Sequence, residues 1–532
     1  MHLDQNWPAS LADHPIFSLP KAFSGPLARP TSSLELSTNT LPSFTNVDPA
    51  VDELTPSGRR QVMVLKDADL IVAAGNEVRI TSLVDAKTLH TPNVQFEIHQ
   101  ISLNPSGKLL AVAGAFQVAV IVLPRAGFSR LVPETLDCKS VQVGQFYHAT
   151  NMAAPIAKIE WHPWGEAGST LMVMTTDGKL REYDISVDTD EPQQILSFIP
   201  ERKTNSILAV DSSEREIASF TLGKGRADWG PLTIYAVTKS GDVYSICPYL
   251  PQNASIPSSY VHSLECFISA KQEFLAQGTS AETRNLSTLY DYQHKYVTAL
   301  IKQLPPGTVF PSVSRPVLIH PPSTIKSPPA RQGPFLLQPS PRTLDGSEGG
   351  DATDITYLSF DTEGDENSDG KETEHLGVVV VAFQDGKVDV CLDVDKVEAR
   401  WETKVPNRDL PMLAVYETID LGLVSTLSQI SIAPGQAPLS DLLQGNHPVF
   451  LLDPIHTETF YVYHAFGVHG LNIGPVLQSL AAALHNDDDS GTTSLDVTLQ
   501  KSAMTTVQHI LTTFSIERKF VSHSDSPFHQ NH

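Results

Sequence analysis

The residues best suited to bind a cation lie in one acidic segment. Asp365, Asn367 and Asp369 alternate ahead of Gly370, as ligands do at the start of an EF-hand calcium loop. The twelfth position of such a loop is a bidentate Glu, but here it is Leu376, and no amphipathic helix flanks the segment. We therefore interpret the segment as an acidic surface loop and predict no metal site.

The glycine and histidine patterns predict no catalytic or cofactor site. Gly223 and Gly225 ahead of Gly230 are too irregular for a dinucleotide loop, and the sequence has no phosphate loop, nucleophile elbow or zinc-protease helix motif. His162 and His469 stand beside Pro and Gly, as turn residues often do. We predict a non-enzymatic protein without cofactors. A hydrolase whose polar residues converge at a central channel is the catalytic alternative.

Charge and cysteine content favour protein partners in a reducing compartment. The 532 residues include 37 Lys and Arg against 60 Asp and Glu, a net charge of −23, whereas nucleic-acid binders need basic stripes. The four cysteines lie far apart, without metal or redox spacing. No apolar run approaches the roughly 20 residues of a membrane-spanning helix, and the N-terminus does not resemble a signal peptide. We predict no direct nucleic acid contact and no membrane insertion.

The elements that would position any site are mostly β-hairpins. The clearest copies, residues 171–183, 233–246 and 378–391, each join an apolar β-branched run to an alternating run. Gly178, Gly241 and Gly386 supply the positive φ that a tight hairpin turn requires. Each copy is predicted to form two adjacent antiparallel strands.

Repetition of this unit predicts a divergent β-propeller, because a β-sandwich, the alternative all-β fold, seldom holds so many similar units. Seven blades are expected, with six or eight as alternatives. The predicted domains are a flexible N-terminal extension, 1–55, which could contribute a closing strand, and the propeller, 56–532. The predicted blades cover residues 62–83, 96–123, 156–185, 217–248, 314–391, 411–473 and 495–520.

Two insertions interrupt the repeat. Helical periodicity within residues 257–304, ending at Pro305, predicts a helical insertion, which could cover a blade edge or dock a partner helix. Residues 341–374 are rich in Gly, Ser and acidic side chains and predict a polar acidic loop, although 354–360 alternates like a strand.

A second helix is predicted over residues 475–484. Pro475 suits a first helical turn, and four apolar side chains share one stripe: Val476, Leu477, Leu480 and Leu484. Partner binding and packing against a blade are equally compatible with this pattern.

Several segments together resemble the N-terminal propeller of fungal nucleoporin eighty-two, a relative of vertebrate nucleoporin eighty-eight. They are residues 67–80 (DADLIVAAGNEVRI), 103–114 (LNPSGKLLAVAG), 118–125 (VAVIVLPR), 159–163 (IEWHP) and 463–469 (YHAFGVH). The resemblance extends from about residue 60 to 485, and the order of the motifs is more specific than any one of them. Family members continue into coiled coils, but no sustained heptads occur here, so we interpret the chain as a propeller-only fragment.

The resemblance implies a structural nucleoporin of the cytoplasmic-face subcomplex of the nuclear pore, without catalytic activity. Its expected partners are the C-terminal helical tail of a nucleoporin one-fifty-nine type protein and the autoproteolytic domain of a nucleoporin ninety-eight type protein. Its expected role is to support messenger RNA export and nucleocytoplasmic transport. A generic propeller adaptor in another complex is the alternative.

Two sets of residues are predicted to bind these partners. The stripe Val476, Leu477, Leu480 and Leu484 could anchor the helical tail, because a helix in a groove needs anchors at such spacing. Phe335 and Leu336 could meet the folded partner from a loop, although a buried strand is the alternative there.

Overall fold

A computed structural model describes most of the chain. The described residues are 15–17, 58–82, 88–92, 94–125, 137–148, 153–199, 213–276, 281–306, 314–338, 350–361, 375–402, 410–429, 439–485 and 504–512. The chain divides into two compact units, Met1–Leu196 with Pro251–Ser255, and Ser197–Leu250 with Ile256–His532. Each unit is described separately below.

The first unit holds three four-stranded sheets of antiparallel strands in sequence order. The first sheet has β1 (Met63–Lys66), β2 (Asp69–Ala74), β3 (Glu77–Ser82) and β4 (Thr88–Pro92); the second has β5 (Gln100–Leu103), β6 (Leu109–Ala113), β7 (Val118–Val122) and β8 (Ser140–Val143). The third has β9 (Ile156–Trp161), β10 (Thr170–Thr175), β11 (Lys179–Asp184) and β12 (Gln194–Ser197).

The second unit holds three further sheets of four or five strands. One has β13 (Ile217–Leu222), β14 (Ile234–Thr238), β15 (Val243–Ile246) and β18 (Arg331–Gln332); the last has β24 (Val449–Leu452), β25 (Thr459–His464), β26 (Gly467–Asn472) and β27 (Thr506–Thr512). Between them in sequence lies the sheet of β19 (Leu336–Gln338), β20 (Ala352–Asp361), β21 (His375–Phe383), β22 (Lys387–Leu392) and β23 (Met412–Asp420). A short two-stranded sheet pairs β16 (Ala254–Pro257) with β17 (Pro316–Ile319).

Four α-helices of the described residues belong to the second unit. They are α1 (Ser258–Ala276), α2 (Ala281–Ile301), α3 (Leu423–Gln429) and α4 (Gly474–His485). The first two lie where the sequence predicts a helical insertion, and α4 begins one residue before the predicted start at Pro475. Single 3-10 turns occupy Pro15–Phe17, Glu166–Gly168, Ser213–Arg215, Gly230–Leu232 and Leu439–Gly445.

The predicted hairpin turns are present. Gly178, Gly241 and Gly386 have φ of 80°, 91° and 87° between β10 and β11, β14 and β15, and β21 and β22. Around the last turn Ala382 pairs with Val388, so the valine-rich strands stay in register. The positive φ falls on the glycine alone, because a residue with a Cβ is disfavoured there.

The predicted propeller class is confirmed, but the prediction of seven blades is wrong: the described residues form six blade sheets. Residues 412–420 form the fourth strand beside β22 and not the start of a new blade. Residues 506–512 pair with β26 and complete the sheet begun by β24. Long insertions separate strands of one blade, so in the sequence the strand that follows an insertion resembles the start of a new blade.

The hydrophobic core lies within and between neighbouring sheets of each unit. Central strands such as β10 and β14 are buried along their whole length, as expected for strands covered on both faces. In the second unit a cluster joins Val380, Phe460, Leu471 and Leu477, which come from two sheets and α4. The four cysteines are free thiols.

Two predicted segments fall largely outside the described residues. Of the predicted extension 1–55, only Pro15–Phe17 is described. Within the predicted acidic loop 341–374, residues 350–361 are described, and Ala352–Asp361 form strand β20, paired along its length with β21. The EF-hand-like residues 365–370 lie outside the described residues.

Candidate docking surfaces

Helix α4 packs its apolar stripe against the last sheet of the second unit. Val476, Leu477 and Leu480 are 1%, 6% and 4% exposed, and Leu477 belongs to the core cluster formed with β25 and β26. The side chain of Leu484 lies outside what the structure describes. The Asn472 side chain accepts a hydrogen bond from the Gly474 N–H at 2.8 Å, which caps the helix start. The stripe therefore contributes to the fold of its own unit.

Phe335 and Leu336 differ in their exposure. The Phe335 N–H donates to the Val243 carbonyl at 2.9 Å, and its ring is buried against Tyr235 with centroids 6.2 Å apart. Leu336 begins β19, which pairs in parallel with β23, and its side chain is 45% exposed. Of this predicted pair, only Leu336 presents an apolar surface to a partner.

Helices α1 and α2 are fixed to the second unit by a polar and aromatic network. Glu398 accepts hydrogen bonds from Tyr290 at 2.9 Å and from Lys271, one from each helix. The buried Gln293 donates to the Ala399 carbonyl at 3.1 Å and accepts from the Trp229 indole at 3.3 Å. These side-chain contacts fix the helix pair against the rest of the second unit.

A groove of about 910 Å³ runs between the second half of α2 and the loop that follows β17. Gln303 holds the two walls together: its side-chain amide donates to the His320 carbonyl and accepts from the His320 N–H, both at 2.9 Å. The groove is lined by Tyr292, His294, Lys295, Thr298, Ala299, Lys302, Gln303, His320, Pro321, Pro322, Ser323, Thr324 and Ile325.

The lining of the groove is basic, whereas the chain as a whole is acidic. This lining contains Lys295 and Lys302 and no carboxylate, whereas acidic residues outnumber basic ones by 60 to 37 in the whole chain. Both lysines are exposed, and neither forms an ion pair with another residue in the described part of the chain. Lys302 just beyond the α2 C-terminus also complements the helix dipole, but Lys295 lies two turns earlier.

A buried carboxyl group lies between two tyrosines in the second unit. The hydroxyls of Tyr235 and Tyr357 both donate to the same oxygen of Asp393 at 2.9 Å, and the two rings stack with centroids 5.2 Å apart. Burial raises the pKa of Asp393, and the hydrogen bonds from the tyrosines offset part of that effect. Asp393 is only 6% exposed and binds tyrosines from β14 and β20, so this cluster lies in the packing between two sheets.

The described residues offer no other obvious chemistry. Among them, no three His, Cys, Asp or Glu side chains are arranged to hold a metal ion. No helix in the described ranges is long and apolar enough to cross a membrane.

Sequence reasoning missed the groove. Tyr292, Lys295, Ala299 and Lys302 are spaced three, four and three residues apart, which is the period of one helix face. That signal was present in the chain, but the opposing wall comes from residues after β17, and only the fold brings the two together.

A family model described as the nucleoporin NUP82 beta-propeller matches residues 84–526 of the chain. Similar curated proteins are Nucleoporin NUP82 of Chaetomium thermophilum, 24% identical over 76% of this chain and 48% of that protein, and Nucleoporin nup82 of Schizosaccharomyces pombe, 23% identical over 76% and 49%. Nuclear pore complex protein NUP88 of Arabidopsis thaliana is 23% identical over 68% and 42%. The chain thus spans about half the length of the curated relatives it matches.

Two solved structures share the fold. One is the Chaetomium thermophilum heterotrimeric Nup82 NTD–Nup159 TAIL–Nup145N APD complex, with a TM-score of 0.69 and 22% identity over 89% of this chain and 93% of the matched chain. The other is the yeast heterotrimeric Nup82–Nup159–Nup116 complex, with a TM-score of 0.55 and 15% identity over 86% and 92%.

Proposed function

Because the chain belongs to the nucleoporin NUP82 β-propeller family, we propose that it is a structural nucleoporin that docks other nucleoporins and catalyses no reaction. The observation that carries this proposal is the family match over residues 84–526.

The proposed partners are a Nup159-type tail and an autoproteolytic domain of the Nup145N or Nup116 type. Both solved neighbours are complexes in which a Nup82 chain is assembled with Nup159 and with Nup145N or Nup116. A chain with these partners would act at the cytoplasmic face of the nuclear pore complex and support messenger RNA export. A propeller adaptor of another complex would bind neither partner.

Leu336 is the proposed apolar contact for the folded partner, beside the buried Phe335. We expect the chain, the Chaetomium thermophilum Nup159 tail and the Nup145N domain to elute together in size-exclusion chromatography. Leu336→Asp should weaken binding of the Nup145N domain about tenfold, because one exposed apolar anchor is replaced by a charge. Leu451→Asp, at another exposed leucine of the same unit, is the matched control. If the unaltered chain binds neither the Nup159 tail nor the Nup145N domain, the proposed function is contradicted. If the two substitutions weaken binding equally, only the assignment of Leu336 is contradicted.

The α4 stripe remains the proposed site for the helical tail, with a condition that its burial imposes. Val476, Leu477 and Leu480 can meet a partner only if α4 separates from β25 and β26, or if the tail packs along the exposed side near Gln478. Amide hydrogen exchange in residues 474–485 should therefore change when the tail is added. Unchanged exchange there, in a sample that binds the tail, would place the tail elsewhere.

A further inference from the structure

We propose that the basic groove between α2 and residues 320–325 binds an acidic, proline-containing peptide segment in the polyproline II conformation. This inference goes beyond the proposed function, because it concerns a surface and a ligand chemistry that do not depend on which nucleoporins the chain docks. Four observations support it: the charge of the lining, its spacing, the shape of the walls and their rigidity.

The charge of the lining selects an anionic ligand. Lys295 on α2 and Lys302 just beyond its C-terminus line the same groove and make no ion pair with other described residues, and no Asp or Glu lines the groove. An acidic segment would be attracted to this lining, although the chain as a whole carries a net charge of −23.

The spacing of the lysines fits a particular backbone. Lys295 and Lys302 are seven residues apart in sequence, which separates them by about 10 Å along the helix axis. A polyproline II segment has three residues per turn and rises about 3.1 Å per residue, so carboxylates at i and i+3 lie on one side about 9 Å apart. In a β-strand the residues on one side are i and i+2, about 7 Å apart, or i and i+4, about 13 Å apart, and neither spacing matches the two lysines as closely.

The walls also suit such a segment. Tyr292 lies on the lysine face of α2, and its ring meets Trp401 edge to face at a centroid distance of 4.7 Å. Grooves that hold polyproline II segments commonly offer aromatic rings to the prolines. Across the groove, the exposed Ser323 and Thr324 carry hydroxyl donors that can reach a carboxylate.

The groove is formed before any ligand arrives. The paired hydrogen bonds between Gln303 and His320 tie the loop to the end of α2, and Glu398 and Gln293 tie α2 to the unit. A preformed groove loses little conformational freedom on binding, and polyproline II peptides are themselves partly ordered when free.

The test compares two peptides and two charge-reversed variants. Fluorescein-labelled (Glu-Pro-Pro)₄ and (Gln-Pro-Pro)₄ are titrated with the full chain and followed by fluorescence anisotropy. The salt concentration is about 0.15 M, where the Debye length of about 8 Å screens distant acidic residues. The variants are Lys295→Glu/Lys302→Glu in the groove and Lys108→Glu/Lys139→Glu at two exposed lysines of the first unit.

We expect the Glu peptide to bind at least about tenfold more tightly than the Gln peptide, and the groove variant to lose about that factor, because two favourable charge pairs become repulsive. The control variant should stay within about twofold. Lys295→Gln/Lys302→Gln, which removes charge without adding any, should give an intermediate loss even if the reversed variant folds poorly.

Three results would overturn the inference. Equal affinity for both peptides would remove the role of charge, and an equal loss in the control variant would show an effect of net charge alone. Preference for an oligo(U) probe over the Glu peptide, lost in the groove variant, would identify the groove as a nucleic-acid site instead. None of these results would affect the proposed docking of nucleoporins.

Discussion

Asp184 illustrates how single polar residues serve the fold of the first unit. Its carboxylate is buried and accepts hydrogen bonds from Ser169 at 2.8 Å, Ser186 at 2.6 Å and Asn253 at 2.8 Å. Burial favours a higher pKa for Asp184, but the hydrogen bonds from Asn253, Ser186 and Ser169 outweigh it and lower the pKa. The bond from Asn253 fastens residues 251–255 to the rest of their unit.

Buried histidines should make the first unit sensitive to acid. His148 is fully buried, with its Nε2 atom 3.1 Å from the Tyr183 hydroxyl. Burial, and then the nearby Arg181, lower the pKa of His148 to about 3. The unfolded chain therefore takes up this proton first, as the pH falls below about 6.5. The contribution of His148 to the free energy of unfolding is intact above that pH and is lost progressively as the pH falls toward 3.

The predicted loss from His148 between pH 7 and pH 5 is about 2 kcal/mol. Thermal or urea unfolding at both pH values would measure it. His148→Gln should flatten the pH dependence of the free energy of unfolding, whereas His320→Gln, at an exposed histidine of the second unit, should change it less. An identical slope in all three proteins would show that His148 does not titrate as its burial requires.

At the scale of elements, α4 shows why an amphipathic stripe is ambiguous in sequence. Apolar residues at helical spacing could face a partner or the parent domain, and both produce the same pattern. The structure places Val476, Leu477 and Leu480 against the sheet of β24 to β27 and leaves Gln478 exposed.

Truncation of the stripe should therefore cost stability. Leu477→Ala is expected to reduce the free energy of unfolding of the second unit by about 2–5 kcal/mol, because it opens a cavity beside Phe460 and Leu471. Gln478→Ala on the exposed side of the same helix should change it by less than about 0.5 kcal/mol. Urea denaturation would measure both, and similar small effects would show that the stripe does not pack as described.

The hairpin turns follow from the sequence more directly than the segments that pack beside the helices. A Gly between an apolar run and an alternating run specifies a local structure, so the turns at Gly178, Gly241 and Gly386 follow from a few adjacent residues. The groove beside α2 depends instead on where residues 320–325 lie relative to Lys295, and local sequence carries no information about that distance.

At the scale of the whole molecule, the charge of −23 should keep the chain away from nucleic acid. We expect no retardation of a single-stranded oligo(U) in a gel-shift assay at about 0.15 M salt. The exposed basic residues of the groove are the place where this expectation could fail. Retardation that disappears in Lys295→Glu/Lys302→Glu would show that local charge outweighs net charge.

The number of blades is also a property of the whole molecule. Two of the seven predicted blades are residues 411–473 and 495–520. In the structure, β23 completes the sheet of β20 to β22, and β27 completes the sheet of β24 to β26. The fourth strand of a sheet can follow a long insertion, because a strand pairs by position and not by sequence distance. Six blade sheets therefore form among the described residues, where the sequence predicts seven.

The sequence by itself determined the all-β class, the hairpin turns, the positions of α1, α2 and α4, and the resemblance that the family match over residues 84–526 confirms. Those features depend on periodicity, turn residues and motif order, which are local along the chain. Only the tertiary structure decided the blade count, the burial of the α4 stripe and the existence of the basic groove. Each of these depends on which distant segments become neighbours, and that is settled by the joint burial of apolar surface and by strand pairing across long insertions.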